Sequence, residues 1–129
     1  MNRKTFIECL KLYPRISEEI KWREDNIKYF NDQKEGLIGN CLTEICSDIM
    51  KALDTALEIT NSELKDIYET KIKADYALLR MNPKQKQIIQ MRLWDEKPKR
   101  WEQIATAHNR HRSTIEREFK KAIDKMLTL

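Results

Sequence analysis

Trp101-Glu-Gln-Ile-Ala-Thr-Ala-His-Asn-Arg-His-Arg-Ser-Thr-Ile-Glu-Arg-Glu-Phe119 is the stretch that decides the fold of this chain. Two helices that cross steeply need a small side chain where they touch, and Ala105, beside the apolar Ile104, supplies it. A tight turn between them needs a residue that tolerates left-handed backbone. Asn109 is the usual substitute for glycine in that role. Ser113 and Thr114 then lie near the start of a second helix, and Ile115 faces inward from it. Phe119, Ala122, Ile123, Met126 and Leu127 continue that inward line at helical spacing. Each element is common, whereas the ordered set is moderately specific for a helix-turn-helix. The plain alternative is a three-helix hairpin that touches no nucleic acid.

Upstream of this stretch, Asn82 is a good helix N-cap. Pro83 stands at the first helical position, where its missing N–H is harmless. Ile88, Ile89, Met91 and Leu93 supply the buried face of that helix, and Asp95 to Arg100 form a polar connection holding Pro98.

Toward the N-terminus, Phe6, Ile7, Leu10 and Tyr13 fall on one side of a helix from about Lys4 to Leu12, which Pro14 ends. A second helix restarts at once. It carries Ile16, Ile20, Ile27 and Phe30 on one stripe with Arg23 in the gap, and Ser17 with Glu18-Glu19 suits its first turn. Residues 31–43 contain both glycines, Gly36 and Gly39, together with Asn31, Asp32 and Asn40, and so are expected to form a linker or long loop. Ile45, Ile49, Leu53, Ala56 and Leu57 are again helical. Thr60-Asn61-Ser62-Glu63 is either a capping box between two helices or a polar patch on one continuous helix. A last stripe follows in Leu64, Ile67/Tyr68, Ile72, Tyr76 and Leu79. Such stripes are ordinarily core, with self-association as the functional alternative. Core is also the plainer reading for Trp22, Trp94 and Trp101.

With two Gly and three Pro in 129 residues, and no six-residue alternation of apolar and polar side chains, the expected class is all-α. The expected domains are a helical region over 1–80 and a helix-turn-helix domain over 81–129. Residues 80–129 hold 13 Lys+Arg against 6 Asp+Glu, while residues 1–79 hold 12 against 15. A basic end on a mildly acidic one points that end toward a polyanion. Cys9, Cys41 and Cys46 contain no CxxC pair and are expected as thiols in a reducing cytoplasm. No apolar run approaches a membrane span, and Glu8 and Lys11 interrupt any signal-peptide core, so a cytoplasmic protein without membrane contact is expected.

Residues 81–127 resemble region 4 of bacterial sigma factors. The resemblance rests on the Pro-led helix with Ile88-Ile89 and Arg92-Leu93, then Trp101-Glu-Gln-Ile-Ala105, Arg112-Ser-Thr-Ile115 and the Lys-rich tail ending in Met126-Leu127. Leu10-Lys-Leu-Tyr-Pro-Arg-Ile-Ser-Glu-Glu-Ile20, the Gly-containing segment and the long middle helix resemble, more loosely, small phage-encoded transcriptional activators of the RinA and ArpU type. His108 and Arg110 stand where such motifs usually bury aliphatic residues.

In a helix-turn-helix the second helix enters the major groove and its N-terminal half reads base edges. The sigma resemblance places Arg112, Ser113, Glu116 and Arg117 on base-reading positions. Arg can bind guanine bidentately and Glu can accept from the cytosine amino group. Lys99, Arg100, Arg110, His111, Lys120 and Lys121 would contact phosphates, setting register and salt dependence. The implied partner is double-stranded DNA. The N-terminal helices would touch RNA polymerase or another copy of the protein, in a phage or prophage late-gene activator. A DNA-packaging component such as a small terminase subunit, or a protein-interaction module, are the alternatives. His108 and His111 have no Cys, Asp or Glu at ligand spacing, so no metal and no cofactor is expected. No nucleophile–base pair or phosphate-binding loop stands out, so no catalytic residues and no enzyme activity are expected.

Overall fold

Helices are the only regular secondary structure among the described residues of the computed structural model, which describes residues 1–40 and 44–129; no strand occurs there. The order is α1 (Arg3–Leu10), a 3-10 turn (Tyr13–Arg15), α2 (Ile16–Asn40), α3 (Glu44–Leu78), α4 (Pro83–Ile89) running into a π-helical turn (Gln90–Trp94), α5 (Trp101–Ala107) and α6 (Arg112–Leu127). The all-α class is therefore correct. Contacts divide the chain into two compact units: residues 15–68, and residues 1–14 together with 69–129.

Within the first unit, α2 and the first two-thirds of α3 form a helical hairpin. Ile16, Ile20, Arg23, Ile27, Phe30, Lys34 and Leu37 recur at alternating spacings of four and three, and all are buried or half-buried. Cys46, Met50, Leu53, Leu57, Thr60, Leu64 and Ile67 do the same on α3. This is the a/d seam of an antiparallel coiled coil. Cross-helix bonds fix its register: Arg23 Nε to Glu63 at 3.1 Å, the Tyr68 hydroxyl to Glu24 at 3.1 Å, and Lys34 to Asp54 at 2.5 Å.

The linker expected over 31–43 does not form where the chain is described, because α2 continues to Asn40. Gly36 weakens a helix by about 1 kcal/mol. The seam residues Phe30, Lys34 and Leu37 hold the helix across it. Residues 41–43, with the thiol expected at Cys41, lie outside the described residues. Thr60-Asn61-Ser62-Glu63 lies on one continuous helix, where the Thr60 hydroxyl donates to the Ala56 carbonyl at 2.7 Å. Cys46 is disulfide-bonded, contrary to the thiol expected there; Cys9 keeps its thiol, half-buried on α1.

The second unit has one core. Phe6 and Leu10 of α1, Ala74 and Ala77 of α3, Met81, Ile88, Ile89, Leu93, Ile104, Ala105 and the inner face of α6 (Ile115, Phe119, Ala122, Ile123, Met126) pack together. The stripe expected to be inward on this part of α3 points out instead: Ile72 is 66% exposed and Leu79 84%, and Tyr76 is exposed as well. The small Ala74 and Ala77 face the core because they let helix backbones approach closely.

Arg3 binds Asp124 through two bonds of 2.9–3.0 Å, and Lys73 Nζ donates to the Leu127 carbonyl at 2.8 Å, capping the C-terminal end of α6. Tyr13 stacks on Trp94 with centroids 5.1 Å apart and donates to Asp75 at 2.5 Å. Burial first, and then that bond to a carboxylate, push its phenol up to about 12. Trp94 and Trp101 are half-buried against the core, whereas Trp22 is 59% exposed, contrary to the core position expected of it.

Candidate nucleic-acid interface

The four residues between α5 and α6 form a tight turn. Asn109 adopts φ 51°, as its place in the sequence requires. The Asn109 N–H donates to the Thr106 carbonyl at 3.1 Å and the Arg110 N–H to the Ala105 carbonyl at 3.0 Å. This pair of bonds, five-to-two and six-to-one, is the Schellman cap, which satisfies the orphan carbonyls at the end of α5. Ala105 is buried, in keeping with its contact role, and Ile104 and Ile115 are fully buried on either side of the turn. The His108 ring is half-buried, and its Nε2 has no hydrogen-bond partner among the described residues. Arg110 is exposed, so only one of the two unusual turn residues tucks inward.

The helix before the turn is fixed from its upstream side. The Asn82 carboxamide caps α4 by accepting from the Gln85 N–H at 2.8 Å, with Pro83 in the first turn. At the far end the π-helical turn closes with an i to i−5 bond, Asp95 N–H to Gln90 carbonyl, at 2.9 Å. The same turn places the Arg92 guanidinium 4.4 Å from the Trp101 ring centroid, from where it donates to the Lys99 carbonyl at 3.1 Å. Trp101 in turn meets Phe119 edge-on at 5.1 Å, so α5 is clamped between the π-turn and α6. α5 begins after Arg100, whose N–H donates to Gln103 Oε1 at 3.0 Å.

α6 begins at Arg112, with His111 as its N-cap and no side-chain cap bond. Arg112, Ser113, Arg117 and Lys120 are exposed and Glu116 is half-buried. Ser113, Arg117 and Lys120 lie on the face opposite Ile115, Phe119, Ala122, Ile123 and Met126, whereas Arg112, in the first turn, and Glu116 flank that core line on the side of α5. Arg100, Arg110, His111 and Lys121 are exposed nearby in the chain. Lys99 differs from them: its ammonium is paired with Asp95 at 2.7 Å, and its carbonyl and N–H are both bonded, the latter to the Met91 carbonyl.

Arg112 is tied down on two sides. Its Nε donates to Glu116 at 2.8 Å, and its Nη1 donates to Glu102 on α5. The Glu116 bond first, and then the Glu102 charge, raise the Arg112 pKa. Glu102 is held below the ordinary carboxylate range, first by its own backbone N–H and then by Arg112. Glu102 escaped the sequence reading because the pair spans the turn, ten residues apart, where no helical spacing rule applies. The exposed face of α6 therefore offers Arg117, Ser113 and Lys120 directly, while Arg112 has to exchange carboxylates for any new ligand.

Comparison with family models, with curated proteins and with solved structures finds no match to this chain. No group of three or more His, Cys, Asp or Glu that could hold a metal occurs among the described residues, and no helix there is long and apolar enough to cross a membrane.

Proposed function

We propose that residues 81–127 bind double-stranded DNA as a sigma region 4-like helix-turn-helix, in a phage or prophage transcriptional activator acting at promoters in the cytoplasm. What supports this best is the pairing of a left-handed Asn109 turn with an α6 whose outer face is cationic while its inner face is core. In this reading α6 lies in the major groove, with Arg112, Ser113, Glu116 and Arg117 toward base edges. Arg117 and Ser113 make first contact, and Arg112 follows on release from Glu102. Glu116 accepts from a cytosine amino group. Arg100, Arg110, His111, Lys120 and Lys121 hold phosphates, with Lys99 a weaker contributor because Asp95 already neutralises it. The N-terminal helices serve RNA polymerase or another copy.

Fluorescence anisotropy with promoter fragments of the source genome and with scrambled DNA, at two salt concentrations, tests the reading. The Arg112→Ala/Arg117→Ala double variant should lose roughly 10–100-fold on the preferred fragment, the range of one or two base contacts. Equal binding of every fragment by wild type and variant overturns it and turns attention to DNA packaging or protein partners.

A further inference from the structure

The α2–α3 hairpin of residues 15–68 has two unlike sides. With the seam residues at heptad positions a and d, Trp22 and Tyr29 fall at c on α2. Ile45 and Ile59 fall at c on α3, with Ile49 at the neighbouring g. All five are exposed, from 42% for Ile49 to 71% for Ile45. In an antiparallel pair the g and c positions of both helices lie on the same side, so these residues form one apolar surface. Between them stand the small Gly36, around whose absent Cβ nothing lies within 4 Å, Ala52 and Ala56, together with the uncharged polar Asn26 and Gln33 at g on α2. Ile38 stands on the opposite line, near the hairpin end.

Basic charge is partitioned in the same way, whereas carboxylates stand on both sides. Over residues 18–36 and 45–66, every Lys and Arg sits at b or in the seam (Lys21, Lys28, Lys51 and Lys65 at b, Arg23 and Lys34 in the seam). The apolar side is bordered instead by exposed carboxylates: Glu18, Asp25 and Asp32 on α2 and Asp48 on α3. Glu18 and Glu19 line a hollow against the Trp22 ring. Glu19 is paired with Arg15 and Arg23, and the Arg23 guanidinium lies 5.3 Å from the Trp22 ring centroid. Glu18 is therefore the carboxylate there that remains for a partner's cation.

We propose that this side of the hairpin docks an amphipathic helix of another protein, apolar along one stripe and flanked by Lys or Arg. Five large side chains that each leave on the order of 100 Å² to water supply about 500 Å² of apolar surface, more than half of the ~800 Å² that one partner contributes to a specific interface, and the carboxylate border adds the polar rim. A second copy presenting the same side would bring like carboxylate borders together, which opposes self-pairing. The docking surface stands independently of DNA binding by α6.

The full chain is titrated into three fluorescein-labelled synthetic helices: a Leu/Lys amphipathic peptide, its Leu/Glu counterpart, and an Ala/Lys helix that keeps the charge without the apolar stripe. The Leu/Lys peptide should bind at least about tenfold tighter than either control. That preference should vanish in Tyr29→Lys/Ile59→Lys and survive in Lys28→Ala/Lys65→Ala. Circular dichroism should show unchanged helicity in both variants, since none of the four positions lies in the seam. Equal binding of all three peptides, or a preference that persists in Tyr29→Lys/Ile59→Lys, overturns the proposal. So does sedimentation showing a wild-type dimer that becomes monomeric in that variant.

Discussion

Asn109 carries the backbone strain of the α5–α6 turn in the open, because it combines φ 51° with an exposed side chain. A Cβ in the left-handed region costs roughly 1–2 kcal/mol, of which Asn recovers part through local polar contacts and Gly bears none. Asn109→Ala should therefore destabilise the unit by about 1 kcal/mol and Asn109→Val by about 2 kcal/mol. Asn109→Gly should leave stability level or slightly raised. For a domain of about 60–100 residues, each kcal/mol lowers Tm by roughly 4–8 °C. Urea unfolding followed by Trp94 and Trp101 fluorescence, in a Trp22→Phe background, reads the series without a signal from residues 15–68. Trp22 is exposed, so that background is itself benign. A Gly variant as unstable as the Ala variant would show that the Asn side chain, rather than φ, holds the turn. An Ala variant as stable as wild type would refute the left-handed geometry.

Phe119, buried against Trp101 at 5.1 Å, should cost about 3–5 kcal/mol on truncation to Ala. A shift in the urea midpoint equivalent to less than about 1 kcal/mol would contradict its core position. Tyr13, with its phenol raised from 10.0 to about 12 in the fold, stabilises the protein fully below pH 10, and that contribution is lost as pH rises toward 12. The stability difference between wild type and Tyr13→Phe should therefore be flat below pH 10 and narrow above it; a flat difference throughout would deny the effect. Glu102→Gln removes a carboxylate that holds Arg112 and should tighten DNA binding with a steeper salt dependence in the anisotropy assay. Weaker binding would instead make Glu102 a positioning residue for Arg112.

The α5–α6 turn was readable because its constraint is local: one residue type, Asn109, answers one backbone requirement. The α4 cap at Asn82-Pro83 was readable for the same reason. The α3 faces were not. On that helix hydrophobic bulk singled out Ile45 and Ile49, whereas the seam runs through Cys46 and Met50, which pack better than their bulk suggests. Further along, Ile72, Tyr76 and Leu79 outweighed Ala74 and Ala77 in side-chain bulk, yet close helix packing selects the smaller pair. Residues 31–43 looked like a break because Gly36, Gly39, Asn31, Asp32 and Asn40 together read as a loop when the partner helix is out of view. The Glu102–Arg112 pair depends on two helices meeting across a turn, which spacing along one helix cannot reveal.

Arg3 and Asp124 are bonded across 121 positions of sequence, and Phe6 and Leu10 bury into a core that α6 completes. At the ~5–20 residues per second of synthesis, α1 waits about 6–24 s for that partner. Through that interval its apolar face stands open, while the α2–α3 hairpin between them, built from nearby pairings, can already close. A newborn chain thus carries a finished hairpin beside an unfinished core. α1 is the segment on which a chaperone would act, and slowing translation after residue 80 would prolong its exposure and favour aggregation.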